Sequence, residues 1–376
     1  MKIGIVCYPT VGGSGILATE LGQQLVLKGH EVHFVSYDRP FRLYLKDKRL
    51  KLHKVEINKY DLFKYPDYTL PLTVKILQVS KYYSLDIVHL HYAIPHATSA
   101  YLARQLMQEN RPAFITTLHG TDVSLMGKDP TLHEIIKFSI EQSDGITTVS
   151  KNLREETYQR FSIKKTIEVI YNFFLPPSPI VENPFLKKNI ATSGEKILIH
   201  SSNFRKVKRV HDIVEIFFHI KKRIKSKLVF LGSGPEEKRI KKIIENLSLE
   251  NDVHFFGNQQ NISPFISHAD LFLLSSEKES FSLSALEAMA HGIPIVATRS
   301  GGIIELIEHE NSGFLSEVGD IHSMVKFSSA ILENHSLYEK FSRRGIEIAN
   351  DKFNAKKIVS QYEELYKKKI GETTRK

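Results

Sequence analysis

The chain has no tryptophan, a single cysteine and no long uninterrupted apolar run. One cysteine, Cys7, cannot form a disulfide within the chain, and such cysteine usage is typical of a reducing compartment. A helix that spans a bilayer needs about 20 consecutive apolar residues, and no segment approaches that length. The first residues lead directly into a predicted strand, without the apolar region of a signal peptide. We therefore expect a cytoplasmic protein with no stable membrane insertion.

Composition indicates a soluble globular protein with more than one domain. The 376 residues are 41% hydrophobic and 25% charged, and a chain of this length favours two domains. The formal net charge of +10 suits nucleic acid, an anionic membrane or small anionic substrates. Because the basic residues are spread along the chain and no nucleic-acid motif is present, we expect no nucleic-acid partner. Plain surface solvation is the alternative for each basic run.

The order of apolar and polar segments predicts two α/β domains. Buried strand-like runs alternate with helical segments throughout, as in Rossmann-like domains built on parallel sheets. In the second half of the chain we predict strands at 196–201, 227–231, 253–256, 270–275 and 295–298, with a helix at 207–222 after the first of them. The polar stretch 172–194 contains four prolines, which is typical of an interdomain linker. We predict a first domain at 1–171, a linker at 172–194, a second domain at 195–350 and a final helix at 351–376, with the two domains facing a cleft. A long loop is predicted at 58–70.

A glycine-rich turn, PTVGGSG at residues 9–15, lies between the first predicted strand and the first predicted helix. Backbone N–H groups at a helix N-terminus favour anions. The amides of Gly13, Ser14 and Gly15 can therefore approach a pyrophosphate. A plain structural turn is the alternative.

Two glutamates lie at the start of a helix in the second domain. Glu279 is in a loop after a strand predicted at 270–275, and Glu287 is on the helix that follows, which Ser280 or Ser282 can cap. Ligands of open parallel α/β sheets bind beyond the carboxyl ends of the strands, beside helix N-termini. We therefore predict that both carboxylates line a ligand site, and solvated surface charge is the alternative.

Basic residues follow the first predicted strand of the second domain, in the segment NFRKVKR at 203–209. Arg205 and Lys208 would lie at the ligand-binding end of that strand. Cations there can clamp a diphosphate through charge-assisted hydrogen bonds. A solvated helix start is the alternative.

Several histidines are predicted at strand ends of the first domain. His119 ends one strand, where a structural role is the alternative to a substrate contact. His89, His91 and His96 resemble a metal-ligand pattern, but no nearby Cys, Asp or Glu completes a set. We therefore expect no metal site.

Several of these motifs resemble the donor-site signature of the retaining nucleotide-sugar glycosyltransferases of family 4. The matching features are the spacing of Glu279 and Glu287, the run AMAHGIP at 288–294, and Gly301 and Gly302 with Glu305. The resemblance implies the GT-B fold, in which two Rossmann-like domains face a cleft. The chain also contains no Asp-x-Asp, the metal–diphosphate element of the other major glycosyltransferase fold. We therefore expect metal-independent transfer without a cofactor.

The resemblance also implies roles for individual residues. Glu287 would bind the ribose hydroxyls of the nucleotide, and Glu279 the hydroxyls of the sugar. The implied catalytic residues are His119, Glu279, Arg205 and Lys208. The implied donor-binding residues are Gly13, Ser14, Gly15, Arg205, Lys208, Glu279, Phe281, Ser282, Leu283 and Glu287.

Four positions depart from the family pattern. Asn203 stands where the family's arginine usually falls, and Arg205 is our candidate for the missing cation. Ser282 stands where many relatives have glycine, His291 precedes Gly292, and Ile304 stands where proline is common. These departures concern local donor contacts.

A closer resemblance, which covers both domains, is to the malate-directed N-acetylglucosaminyltransferases of bacillithiol biosynthesis within that family. Its motifs are CYPTVGGSG at 7–15, PFRL at 40–43, HLHYAIPH at 89–96, LHGTD at 118–122, EQSD at 141–144 and SNFRKVKR at 202–209. It implies transfer of GlcNAc from UDP-GlcNAc to the hydroxyl of L-malate with retention, the first step towards that thiol. The implied malate-binding residues are Ser14, Tyr92, His119, Thr121, Lys137 and Arg154.

Three alternatives to this function stay open at this stage. A lipid-directed transferase of the same family would use its basic surface on an anionic membrane. A UDP-GlcNAc 2-epimerase shares the two-domain fold and would need no acceptor. A nucleotide-sugar sensor would bind the donor and release no UDP. The final helix is expected to cross back to the first domain, and homo-oligomerisation stays open.

Overall fold

The computed structural model describes residues 1–57, 67–109, 111–176 and 190–373. The chain divides into two compact units, one formed by residues 1–172 and 356–376 and the other by residues 173–355. Residues 58–66 of the predicted long loop and residues 177–189 of the predicted linker lie outside the described residues. None of the helices in the described part combines the length and the apolar character needed to cross a membrane.

The first unit alternates strands with helices along the chain. Its strands are β1 (Lys2–Val6), β2 (Glu31–Ser36), β3 (Leu50–Lys54), β4 (Ile87–His91), β5 (Ala113–Leu118), β6 (Gly145–Thr148) and β7 (Ile167–Val169). Its helices are α1 (Gly13–Leu27), α2 (Thr69–Tyr83), α3 (Thr98–Gln105), α4 (Pro130–Glu141) and α5 (Lys151–Phe161).

The strands of the first unit pair in parallel in the order β3-β2-β1-β4-β5-β6-β7. The chain therefore builds outward from β1 to β3, then returns to the other side of β1 with β4. Such a reversal opens a crevice at the carboxyl ends of the two central strands, where ligands of this class of sheet bind. The loops after β1 and β4 lie at this point.

The second unit repeats the arrangement. Its strands are β8 (Lys196–Ser201), β9 (Ser226–Leu231), β10 (Val253–Phe255), β11 (Leu271–Leu274), β12 (Ile295–Thr298) and β13 (Gly313–Ser316). Its helices are α6 (Val210–Lys221), α7 (Glu237–Asn246), α8 (Ser263–Ile266), α9 (Leu283–Ala290), α10 (Ile321–Glu333) and α11 (His335–Phe353).

The strands of the second unit also pair in parallel, in the order β10-β9-β8-β11-β12-β13. Here the reversal lies between β8 and β11. Strand β11 and its neighbour β12 are buried along their whole length, which explains their nearly continuous apolar sequences. The residues of one core cluster come from strands β8 to β12, from helices α6, α7, α10 and α11, and from the loops that contain Phe204 and Leu249.

The last helix, α12 (Ala355–Thr373), carries buried tyrosines against the first unit. The hydroxyl of Tyr366 is 2.7 Å from Nδ1 of His89 on β4. Glu363 forms an ion pair with Lys28 and lies 2.7 Å from Nε2 of His30. A polar edge and a buried aromatic face together hold this helix on the unit that contains the amino terminus.

The structure confirms the predicted α/β class with two Rossmann-like domains. Two details differ from the sequence-based elements. Strand β13 was not predicted, and the helix predicted from Val207 begins only at Val210. The reason for the later start is Arg209, whose φ of 45° lies outside the right-handed helical region and separates a short turn, Lys206–Lys208, from α6.

Candidate active site

In the second unit, the loops after two adjacent strands are joined by hydrogen bonds. The hydroxyl of Ser275, directly after β11, donates to the carbonyl oxygens of Lys208 at 3.1 Å and Arg209 at 2.8 Å. The backbone N–H of Glu277 donates to the carbonyl oxygen of Val207 at 2.8 Å. Lys208 is therefore held beside the loop that contains Glu279.

The carboxylate of Glu279 is the centre of this cluster. Its Oε1 accepts a hydrogen bond from Nζ of Lys208 at 2.6 Å and one from the hydroxyl of Ser276 at 2.7 Å. The Glu279 side chain is 6% exposed and that of Lys208 20% exposed. A glutamate so enclosed is not a solvated surface charge, which removes that alternative for Glu279.

The loop after β12 holds Glu279 from the opposite side. Gly302 donates its backbone N–H to the carbonyl oxygen of Glu279 at 2.8 Å. At Gly301, φ is +57° and an added Cβ would lie 2.0 Å from the same oxygen, so only glycine fits. The hydroxyls of Thr298 and Ser300 donate to the carbonyl oxygen of Ser276 at 2.5 and 3.0 Å. Three neighbouring strand ends therefore fix one carboxylate.

Helix α9 begins at this cluster. Ser282 precedes it with φ of 79°, a conformation that favours glycine, and its hydroxyl accepts a hydrogen bond from the backbone N–H of Ala285 at 3.4 Å. The side chains of Phe281 and Leu283 are buried, and the Phe281 ring lies edge-on to that of Phe353. Ligand contacts from Phe281 and Leu283 would therefore come from their backbone groups.

Two predicted donor residues are more open to solvent. Glu287 is half-buried on α9, one helical turn after Leu283. Arg205 is exposed at the residue that precedes the Lys206–Lys208 turn. The structure therefore brings Lys208 and Glu279 into direct contact, and it leaves the guanidinium of Arg205 in solvent.

One part of this site was missed by the sequence interpretation. The loop after β9 packs on the loop after β8 through Gly232 and Gly234. A Cβ at these positions would lie 1.9 Å from the carbonyl oxygen of Ser202 and 2.0 Å from that of Asn203, respectively. The signal was present as the segment GSGP at 232–235, directly after a predicted strand.

In the first unit, the predicted glycine-rich turn meets the loop after β4. Gly13, Ser14 and Gly15 form the first turn of α1. The hydroxyls of Ser14 and Tyr92 are 2.5 Å apart, and the backbone N–H of Tyr92 donates to the carbonyl oxygen of Thr117 at 3.0 Å. Ser14 and Tyr92, both predicted to bind the acceptor, are thus neighbours.

His119 follows β5, the next strand of the sheet. It is half-buried, and its Nε2 is 2.8 Å from Nδ1 of His91. Burial lowers the pKa of His119 to about 3, so its imidazole is neutral at physiological pH.

A buried carboxyl group ties the loop of His119 to the loop after β4. Asp122 accepts hydrogen bonds from the backbone N–H groups of Ala93 at 3.0 Å and Gly120 at 3.1 Å. Burial raises the pKa of Asp122 to about 6. Thr121 lies between Gly120 and Asp122 and is half-buried. Tyr92, His119 and Thr121 therefore belong to one hydrogen-bonded pair of loops.

The two cations predicted for the acceptor lie on different helices. Lys137 is half-buried on α4. Arg154 is in the first turn of α5, and its Nε and Nη2 donate to Oε1 of Glu155 at 2.9 and 2.8 Å. Arg154 is 35% exposed, so this pair lies at the surface.

The histidines that resemble a metal-binding pattern are held by protein groups. His89 contacts the hydroxyls of Thr117 and Tyr366, and Nδ1 of His96 is 2.5 Å from the carbonyl oxygen of His91. Within the described ranges, no set of three His, Cys, Asp or Glu side chains is arranged to hold a metal ion.

Two family models match the chain. Residues 11–174 match the model described as Glycosyltransferase Family 4, and residues 182–348 match the one described as Glycosyl transferases group 1. The chain is 45% identical over 374 residues to N-acetyl-alpha-D-glucosaminyl L-malate synthase of Bacillus anthracis, with 97% of this chain and 96% of that protein covered. This identity confirms the resemblance that the motifs of the sequence indicate.

Two solved structures share this fold over nearly the whole chain, at low sequence identity. Sucrose-phosphate synthase from Thermosynechococcus elongatus has a TM-score of 0.80 at 21% identity and covers 98% of each chain. The Anabaena protein HepE in complex with UDP-glucose has a TM-score of 0.80 at 19% identity and covers 100% of this chain and 99% of that one. These likenesses establish the fold alone. The relative at 45% identity and the two family models show that the chain belongs to glycosyltransferase family 4, as a transferase of the GT-B fold.

Proposed function

We propose that this glycosyltransferase moves N-acetylglucosamine from UDP-GlcNAc to the hydroxyl of L-malate, with retention of the anomeric configuration. The observation that carries the proposal is 45% identity over 97% of the chain to a protein named N-acetyl-alpha-D-glucosaminyl L-malate synthase. This reaction would be the first step of bacillithiol biosynthesis.

The donor would bind to the cluster around Glu279. An ammonium group has three N–H donors, so Lys208 can keep its hydrogen bond to Glu279 and still donate to a phosphate oxygen. Arg205, exposed beside it, would add a second cation as charge develops on the leaving phosphate. Glu279 would accept from the sugar hydroxyls, and Glu287 from the ribose hydroxyls.

Proton transfer would not use His119. Its imidazole is neutral at physiological pH because burial lowers its pKa to about 3. A neutral imidazole can position the sugar through a hydrogen bond, but it holds no extra proton to give to the leaving group, and a pKa this low makes it a weak base for the malate hydroxyl. The proton of the malate hydroxyl would then go to the departing phosphate, on the same face of the sugar, which retains the configuration.

The acceptor would bind to the linked loops of the first unit. Malate carries two carboxylates, so its site needs hydrogen-bond donors and cations. Ser14, Tyr92 and Thr121 supply hydroxyls, and the Ser14–Tyr92 contact of 2.5 Å supports a preformed pair. Lys137 and Arg154 would supply positive charge, with Arg154 exchanging Glu155 for a malate carboxylate. The Gly13–Gly15 amides would help to hold the diphosphate.

The proposal predicts that UDP is released from UDP-GlcNAc only when L-malate is present. The expected rate with malate is unchanged by EDTA, because no step needs a metal ion. A coupled assay for free UDP measures both effects. Equal UDP release without malate, conversion of the donor alone to its 2-epimer, or complete loss of activity in EDTA contradicts the proposal. Association with anionic vesicles together with malate-independent activity would instead favour a lipid-directed transferase.

The two glutamates of the donor site are predicted to act at different stages. Glu287→Ala should weaken binding of UDP itself, whereas Glu279→Gln, which keeps an acceptor for Lys208, should change UDP affinity less and lower kcat. Each lost hydrogen bond to a ligand typically costs about 0.5–3 kcal/mol. Calorimetry with UDP alone separates the variants, and Glu333→Ala, at an exposed glutamate of α10, is the matched control. If Glu287→Ala binds UDP as tightly as the parent protein, Glu287 does not bind the ribose.

The cations of the acceptor site are predicted to affect malate alone. Lys137→Ala and Arg154→Ala should raise the KM for malate and leave that for UDP-GlcNAc nearly unchanged. A charged hydrogen bond of about 1.5–3 kcal/mol corresponds to roughly ten- to hundred-fold in affinity. Glu155→Gln should lower the malate KM, because it releases Arg154 from its present partner. Lys164→Ala, at an exposed lysine, is the control. If both alanine variants fold and the KM for malate is unchanged in each, Lys137 and Arg154 do not bind the acceptor.

A further inference from the structure

Three histidines behind the acceptor loops form a connected group with His119. His89 and His91 lie on β4, and His96 follows in the next loop. All three are fully buried. His91 is the member that contacts both His96, through its backbone, and His119, through its side chain. None of the roles assigned above uses His91.

The proton on His96 can be located from its partner. Nδ1 of His96 is 2.5 Å from the carbonyl oxygen of His91. A carbonyl oxygen only accepts hydrogen bonds, so Nδ1 of His96 carries the proton and donates. His96 therefore fixes the backbone of His91 and, with it, the direction of the His91 side chain.

The hydrogen bond between His91 and His119 is compatible with two placements of its proton. Nδ1 of His91 and Nε2 of His119 are 2.8 Å apart, with the rings stacked at an interplanar angle of 23°. Either His91 donates from Nδ1, or His119 donates from Nε2. In the second case, the proton of His91 would sit on its own Nε2.

Burial decides between these placements. Nε2 of His91 is buried and has no hydrogen-bond partner among the described residues. A proton on Nε2 would create a buried N–H without an acceptor, and orphaned buried N–H groups are rarer than under-satisfied acceptors. The first placement leaves only a lone pair unsatisfied. It is therefore the favoured one, with the proton of His91 on Nδ1.

We propose that His91 is a positioning residue for the transfer reaction: it donates from Nδ1 to Nε2 of His119 and so holds His119 as the tautomer that carries its proton on Nδ1. His119 then offers substrate one N–H donor in a fixed direction. Burial keeps the group neutral, because it lowers the pKa of His96 to about 4 and that of His91 well below its usual value. The proposed benefit to turnover depends on the function proposed above, whereas the tautomer itself does not.

Substitution of His91 tests the positioning role. His91→Leu should lower kcat by about ten- to hundred-fold, since small losses of alignment have effects of that size. The KM values for UDP-GlcNAc and malate should stay within about twofold. His91→Asn should retain most of the wild-type kcat, because the NH2 group of the asparagine side chain can donate from nearly the position of the histidine Nδ1. His91→Asp has the same shape but no donor when ionised, and it should not restore kcat.

A matched variant separates positioning from loss of packing. His89→Leu removes a buried imidazole two residues earlier on β4 and breaks its bonds to Tyr366 and Thr117. It should lower the melting temperature and leave kcat within about twofold of the parent. Wild-type kcat in His91→Leu, or an equal loss of kcat in both leucine variants, overturns the proposal.

The tautomer can be measured without any activity. In protein labelled with ¹⁵N-histidine, the His119 resonances are assigned by their loss in His119→Asn, and two-bond ¹⁵N–¹H couplings show which nitrogen is protonated. We expect the proton on Nδ1 in the wild-type protein. A proton on Nε2 overturns the proposal even if the His91 variants do not fold. Absence of malate-dependent UDP release by the wild type would count against the proposed function, and the tautomer result would stand apart from it.

Discussion

The hydrogen-bonded ion pair of Lys208 and Glu279 joins two strand-end loops of the second unit. It joins residues 71 positions apart in the chain at 2.6 Å, with Glu279 almost fully enclosed. A carboxylate in such a place requires a partner, because an unpaired buried charge is strongly destabilising. The surrounding hydroxyls and the Gly301–Gly302 turn keep that carboxylate at one position. Because an ammonium group has three N–H donors, Lys208 stabilises the loops through Glu279 and keeps donors for the phosphate contact proposed above.

The first unit also links its strand-end loops through hydrogen bonds between side chains and backbone groups. Its central strands also reverse their order, between β1 and β4, and the ends of three neighbouring strands are again linked. Here the links are the Ser14–Tyr92 hydroxyl pair, the bond between the imidazoles of His91 and His119, and the carboxylate of Asp122, which accepts from two backbone N–H groups. The two units therefore present strand-end loops of different chemistry on the same order of parallel strands.

Much of the fold was predictable because long apolar runs and clear helix ends specify parallel α/β units locally. Strands such as Lys196–Ser201 and Ile295–Thr298 were predicted with their observed bounds. Strand β13 was missed because it begins with glycine and has only two apolar side chains, whereas β12, of the same length, is a nearly continuous apolar run. Residue types also placed Lys208, Glu279 and His119 on loops at strand ends. Their partners were not predictable, since contacts such as Lys208 with Glu279 depend on strand order, which local patterns do not encode.

The structure of the reaction product tests transfer with retention most directly. The sugar of UDP-GlcNAc is α-linked, so incubation with L-malate should give GlcNAc joined to the malate hydroxyl oxygen by an α-linkage. The ¹H coupling constant at the anomeric carbon and the mass of the purified product establish both features. A β-linked product, free GlcNAc, or a donor epimerised at C2 with malate unchanged would contradict the proposed reaction.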